Sequence, residues 1–139
     1  HMITNIAGSS DYYLGSVTAY AYEAKEALLG VKHETLTKYG AVSRQTVLEM
    51  AQGVRRSLAG GFPIDSLLGV SISGIAGPGG GLPGKPVGTV WLALSAYDGD
   101  WAWRFNWNGD RIQNKRSAAR TALQLIKQYF SGTLPPESP

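Results

Sequence analysis

The sequence contains no cysteine, which removes disulfides, thiolate catalysis and cysteine metal sites together and is compatible with a reducing cytosol. Neutral nitrogen ligands are nearly as scarce, because His1 and His33 are the only histidines. No metal site is expected on that count. Long apolar runs are also missing. None approaches the length that crosses a bilayer, and the chain does not open on a signal-peptide pattern, so the reading is a soluble cytoplasmic protein with no membrane partner. Charge of either sign is modest: 13 Lys and Arg against 10 Asp and Glu give a net +3, with the basic residues mainly in the C-terminal third. That is too mild for a nucleic-acid partner, which calls for a denser basic stripe with interleaved aromatics. A small anionic substrate satisfies the same balance.

What is present suffices for one domain. A chain of 139 residues buries about two thirds of its unfolded surface and folds without staples. The organising stretch is Leu67 to Ala96. Two short apolar runs, residues 67–73 and 87–94, are rich in β-branched or aromatic residues and bounded by Gly or Pro, which predicts buried strands. Between them lies Gly74-Ile75-Ala76-Gly77-Pro78-Gly79-Gly80-Gly81-Leu82-Pro83-Gly84-Lys85-Pro86. Repeated glycine allows backbone amides to approach a phosphate, a carboxylate or an oxyanion with no Cβ in the way. The plainer reading is a wide turn, but long loops in compact domains are usually functional.

Two familiar phosphate motifs fail here. Gly79 to Lys85 fits G-x-x-x-x-G-K, yet Pro86 stands where a P-loop needs a Ser or Thr for magnesium, and a strand follows where a helix should. The dinucleotide G-x-G-x-x-G arrangement of strand, turn and helix does not occur either.

Along the chain, Ile3, Ile6 and Gly8 suggest the last turn of a helix. Alternation from Tyr12 to Tyr22 predicts a strand. Short helices follow at Glu23 to Leu29 and Glu34 to Tyr39, each ended by Gly. Ser43 caps a longer helix to about Leu58, with Val47, Ala51, Val54 and Leu58 on one face and Val42 stapled to Val47. Asp98-Gly99 is a hairpin signal leading into a strand from Asp100 to Trp107. On it Trp101, Trp103, Phe105 and Trp107 share one face. Such a stripe can stack a base, but packing under a helix or at a subunit interface is the commoner reason. Asp110 caps the last helix, to about Phe130, with Ile112, Ala119, Ala122, Ile126 and Tyr129 as its buried stripe. Arg111, in that helix's first turn where the chain leaves the sheet, is the cation placed to border a cleft. Residues 131–139 are expected to be a disordered tail, leaving 1–130 as the domain.

The motifs Ser73 to Gly81 and Lys85 to Trp91 closely resemble the signature of the CinA C-terminal domain family, the nicotinamide mononucleotide deamidases. Ala7 to Ser10, Gly15 to Lys25, Gly40 to Ser43 and Gly109 to Arg111 resemble the family's Pro-Gly-Ser-Ser, Gly-Gly-Val-Val-Ala-Tyr-Ser-Asn-Glu-Ala-Lys, Gly-Ala-Val-Ser and Gly-Asp-Arg. The resemblance implies a three-layer α/β/α sandwich with a mixed sheet. It implies hydrolysis of the carboxamide of nicotinamide mononucleotide, with no cofactor, a nucleotide partner and homo-oligomers. Lys25 is the implied general base, and Tyr20 an orienting or donating group. Without the resemblance, Lys25 reads as a solvated helix lysine and Tyr20 as a core tyrosine. Amides from Ser73, Gly74, Gly77, Gly79, Gly80 and Gly81 then hold the oxyanion or phosphate, while Ser43, Thr89 and Arg111 complete the pocket. The family's nucleophile is a serine in Thr-Ala-Glu-Ser-Cys-Thr-Gly-Gly. That segment does not occur in this sequence, and family order places it, with a strand and most of a helix, ahead of residue 1.

Overall fold

The computed structural model describes residues 2–139. Its centre is a three-stranded sheet in the order β1 (Gly69–Gly74), β2 (Thr89–Ala96) and β3 (Gly99–Asn106), both pairings antiparallel. Every residue of β2 is buried, as a strand paired on both edges and covered on both faces must be. Its side chains alternate between two cores. Val90, Leu92 and Leu94 stand opposite Phe105, Trp103 and Trp101 and pack under α4 (Arg111–Phe130), against Ala118, Ala122 and Leu125. Trp91 and Ala93 face the other way and pack with Ala102 against Val47 and Ala51 of α3 (Arg44–Ser57).

The result is helix, sheet, helix: the three layers expected. The mixed sheet is not seen among the described residues, where no parallel pairing occurs. The aromatic stripe is core, with Trp103 buried and Phe105 stacked on Trp107 at 5.2 Å between ring centroids.

The smaller helices α1 (Tyr22–Leu29) and α2 (His33–Tyr39) add a third cluster on the α3 side, where Leu29, Val31 and Leu36 meet Met50. Ser43 caps α3 by accepting from the Thr46 amide, and Val42 packs on the Val47 cluster as the staple pattern predicts. Asp110 and Gln113 form a reciprocal capping box at the start of α4.

Four expectations are corrected. Residues 13–20 are extended and alternate in burial, with Val17 and Ala19 packed on the Leu29 cluster, but they pair with no strand. Alternation reports which side is covered, and that side is covered by helices. The opening residues form two single 3-10 turns, Ile3–Asn5 and Ser9–Asp11, rather than the end of an α-helix. The hairpin turn is Tyr97-Asp98, because Gly99 pairs with Ala96 and its missing Cβ leaves room for the Trp101 ring. In α4, Ile112 is 54% exposed while Ala118 and Leu125 take the core positions.

Residues 131–139 are not free either. Leu134 joins the α4 core, and the Trp103 indole donates to the carbonyls of Pro135 and Pro136 at 3.2 and 3.1 Å. The segment meets the outer edge of β3 and satisfies backbone groups there.

Candidate active site

The Gly-rich loop between β1 and β2 is pinned by its carbonyls. Arg111 donates to Gly77 at 2.8 Å, Asn114 to Ala76 at 3.2 Å, and Arg104 to Gly84. At its base, the Ile75 amide donates to the Thr89 carbonyl at 2.9 Å and the Gly88 amide to the Ile75 carbonyl at 2.7 Å. Lys85 reaches across to the carbonyl of Tyr39 at 2.7 Å.

The amides behave differently. Those of Gly77, Gly79, Gly80 and Gly81 donate to nothing among the described residues. Gly77 and Gly80 have φ of +89° and +88°, a left-handed backbone that glycine adopts without strain. No acidic residue occurs between Asp65 and Asp98. Held through the carbonyls of Ala76, Gly77 and Gly84, with four glycine amides lacking an acceptor among the described residues, those of Gly79, Gly80 and Gly81 in an exposed stretch, and three cations at its margins, the loop is electrostatically suited to an anion.

The second component is the turn 39–43, held by side chains from four elements. The Gly40 carbonyl accepts from Thr46 Oγ1 at 2.8 Å and Ser43 Oγ at 3.0 Å. The Ala41 carbonyl accepts from Ser73 Oγ at 2.7 Å, and its amide donates to the Tyr22 hydroxyl at 3.3 Å. With Lys85 on Tyr39, this turn joins the start of α1, the end of β1 and the loop in one neighbourhood.

Lys25 lies in α1, three residues beyond Tyr22. It is 5% exposed, and its amine donates to the carbonyls of Ala19 at 2.9 Å and Tyr20 at 3.0 Å. Burial lowers its pKa from the ordinary 10.5, because removing an ammonium from water disfavours the charged form. The two carbonyl acceptors work in the opposite direction and hold the amine in place. No carboxylate pairs with it among the described residues. No hydrogen bond joins it to the loop.

The remaining expected residues divide. Ser73 and the loop glycines lie together, with Gly74 closing β1 and Arg111 bound to Gly77. Ser43 is committed to the α3 cap and the Gly40 carbonyl. Thr89 is fully buried with its hydroxyl on Asn106 at 3.1 Å. Tyr20 contributes its carbonyl, while its ring is 86% exposed.

Residues that were not expected carry much of the geometry: Asn114, 1% exposed, spans Ala76 and both backbone groups of Gly109. Its signal in the sequence is a polar residue on the buried side of α4. Arg104 leaves no local pattern, while Lys85 and Tyr22 lie in the motifs Lys85 to Trp91 and Gly15 to Lys25 with nothing in either to announce the turn 39–43 as their partner. Among the described residues no group of three or more His, Asp or Glu could hold a metal ion.

Comparison with known proteins bears on this arrangement. Residues 1–130 match the CinA C-terminal domain. The chain is 44% identical over 130 residues to the nicotinamide-nucleotide amidohydrolase PncC of Shigella flexneri, covering 93% of this chain and 75% of that protein. It is 44% identical over 131 residues to a CinA-like protein of Salinibacter ruber, covering 94% of this chain but only 30% of that protein's length. Among solved structures, a CinA superfamily protein from Klebsiella pneumoniae 700603 superposes with a TM-score of 0.83 at 32% identity, over 94% of this chain and 78% of that one. The competence/damage inducible protein CihA from Agrobacterium tumefaciens gives 0.78 at 40%, over 88% of this chain and 72% of that one. With the layers, the pinned loop and the sequence in agreement, the chain belongs to the CinA C-terminal domain family.

Proposed function

We propose that this chain carries the binding and proton-transfer parts of a nicotinamide-nucleotide amidohydrolase, which converts nicotinamide mononucleotide to nicotinate mononucleotide and ammonia. The observation that carries the reading is the loop: four glycine amides without acceptors, on a backbone fixed through its carbonyls, beside Lys85, Arg104 and Arg111. Preorganised donors of this kind stabilise a phosphate or a developing oxyanion without reorganising when the charge arrives. The similarity to PncC adds the substrate class.

Amide hydrolysis also needs a base that is neutral when the nucleophile arrives. Lys25 fits, because burial favours its uncharged form and no carboxylate restores the charge. In the serine and lysine version of acyl transfer, neutral Lys25 takes the proton from the serine hydroxyl as the oxygen attacks the carboxamide carbon. The carbon–nitrogen bond then breaks, and Lys25 returns the proton to the departing ammonia. Water cleaves the resulting ester by the same exchange. The serine is the one the family resemblance places in Thr-Ala-Glu-Ser-Cys-Thr-Gly-Gly, a motif that does not occur in residues 1–139.

That last fact favours a second reading, in which residues 1–139 bind the nucleotide without turning it over. Ammonia release from nicotinamide mononucleotide, measured beside calorimetric binding of the same compound, distinguishes them. Turnover by the protein carrying both this chain and the serine segment, lost in its Lys25→Met variant while binding persists, supports the hydrolase. Binding with no turnover supports the binding module. Absence of binding removes both.

A further inference from the structure

The outer edge of β3 is closed by residues 134–138, and the way it is closed is informative. The Ala102 amide donates to Glu137 Oε1 at 2.9 Å and its carbonyl accepts from the Ser138 amide at 3.3 Å. The Arg104 amide donates to Ser138 Oγ at 2.9 Å. Glu137 also accepts from Arg44 of α3 at 2.7 Å. These are the edge groups that would otherwise recruit another strand. Pro135 and Pro136 have no amide to donate, so the segment ends the sheet rather than extending it. Its ionic fastening is half in water, with the Arg44 and Glu137 side chains 38% and 34% exposed. Such a pair is weak and salt-screened, so of the strap's fastenings it is the one most readily loosened.

We propose that the strap masks a self-complementary edge, and that two copies of this chain pair through it, β3 against β3, when the strap lifts. The edge reads Asp100-Trp101-Ala102-Trp103-Arg104. Around a two-fold axis at Ala102, an antiparallel pairing sets Asp100 opposite Arg104 of the second copy, and the same contact recurs on the other side. Ala102 turns both its amide and its carbonyl outward, as its bonds to the strap demonstrate. That is the geometry of a pair exchanging two hydrogen bonds in an antiparallel ladder.

A closed dimer must present one patch to itself, and the neighbouring registers do this badly. Centring on Asp100 opposes two carboxylates; centring on Arg104 opposes two guanidiniums. Like charges facing each other across strands are destabilising, which disfavours those two registers, and of the axes between them, at Trp101, Ala102 and Trp103, only the one at Ala102 sets Asp100 opposite Arg104. Both charged residues are exposed, and a partner would compete with the bonds they make within the chain, Asp100 accepting from Gln52 at 2.7 Å and Arg104 donating to the Gly84 carbonyl.

The test uses the full chain and measures mass against concentration by sedimentation or light scattering. Glu137→Lys removes the acceptor for Ala102 and repels Arg44. It is expected to tighten self-association by about tenfold or more relative to the unaltered chain, since the edge no longer has to be cleared. Adding Asp100→Arg should reverse the gain by opposing two cations twice, and adding Arg104→Asp as well should restore it. A folded Glu137→Lys chain whose mass follows that of the unaltered chain at every concentration overturns the proposal. So does self-association indifferent to Asp100→Arg, which would place the contact on another surface. Should Glu137→Lys fail to fold by circular dichroism, Glu137→Gln asks the same question, because it keeps an oxygen for Ala102 and loses only the pair with Arg44. Tighter association of that variant supports the strap, and an unchanged equilibrium overturns it.

Discussion

The two halves of this molecule are held together by different physics. Beneath α4, the β2–β3 hairpin meets the helix through Leu92, Leu94, Trp103, Ala122 and Leu125, almost without polar contacts. Around the loop and the 39–43 turn, cohesion comes from side chains that each grip a backbone carbonyl: Arg111 on Gly77, Asn114 on Ala76, Lys85 on Tyr39, Ser73 on Ala41 and Lys25 on Ala19 and Tyr20. The first half supplies stability through area removed from water. The second spends polar groups on placing a backbone, which leaves glycine amides without acceptors and fixes one buried amine on two carbonyls. Substitutions in the two halves should therefore fail in different ways.

The largest effect belongs to the apolar half. Leu92→Ala leaves a cavity at a fully buried position and should cost about 2–5 kcal/mol, read as a lower midpoint in chemical denaturation. Nucleotide affinity in the fraction that remains folded should be unchanged. Asn114→Ala comes next. It strips donors from the carbonyls of Ala76 and Gly109 at a buried site, for about 1–3 kcal/mol. Unlike Leu92→Ala, it should also weaken binding of nicotinamide mononucleotide, because the loop loses a pin. If both variants alter affinity alike, the division between the halves is wrong.

Smaller still is the stability change in Lys25→Met. Removing a buried amine gives up two hydrogen bonds but also a desolvation cost, so stability should move by no more than about 1 kcal/mol while ammonia release is lost. Denaturation and turnover measured on one preparation separate these outcomes.

The subtlest effect is in pH. The folded pKa of Lys25 lies below the ordinary 10.5, so between those two values the unfolded chain binds the proton that the folded chain has released. Stability therefore rises with pH across that window. In Lys25→Met this rise should vanish, seen as a flatter dependence of the denaturation midpoint on alkaline pH. Turnover by a protein that joins this chain to the serine segment should increase with pH toward the same lowered value, since the neutral amine is the active form.

The apolar half was largely legible in the sequence. The apolar run of β2, the period-two aromatics of β3, the Asp98-Gly99 region and the capped, amphipathic α3 and α4 are local signals, and the contacts they produce follow from the same residues. Pairing is not a local signal. Residues 13–20 alternate as a strand does, yet α1 and α3 cover their inner side and no ladder forms. The strap was hidden for a related reason: prolines and a glutamate read as solvated until the carbonyls of Pro135 and Pro136 meet Trp103 and Glu137 meets Ala102.

At the site, the glycines and Lys25 were legible because loop composition and a family motif mark them. Thr89 and Ser43 were expected to face a ligand, but buried hydroxyls must find partners at once, and theirs are Asn106 and the Gly40 carbonyl. Arg104 and Lys85 were overlooked as pins, since nothing near them in the chain announces the carbonyls of Gly84 and Tyr39.

The central claim is that an anionic nucleotide seats on the amides of this loop, near the buried amine of α1. Amide-resolved NMR during titration with nicotinamide mononucleotide tests it most directly. The account predicts shifts concentrated at Gly77, Gly79, Gly80 and Gly81, with smaller ones at Lys25 and the 39–43 turn. Shifts confined to the outer surfaces of α3 or α4, or none at saturating ligand, would contradict it.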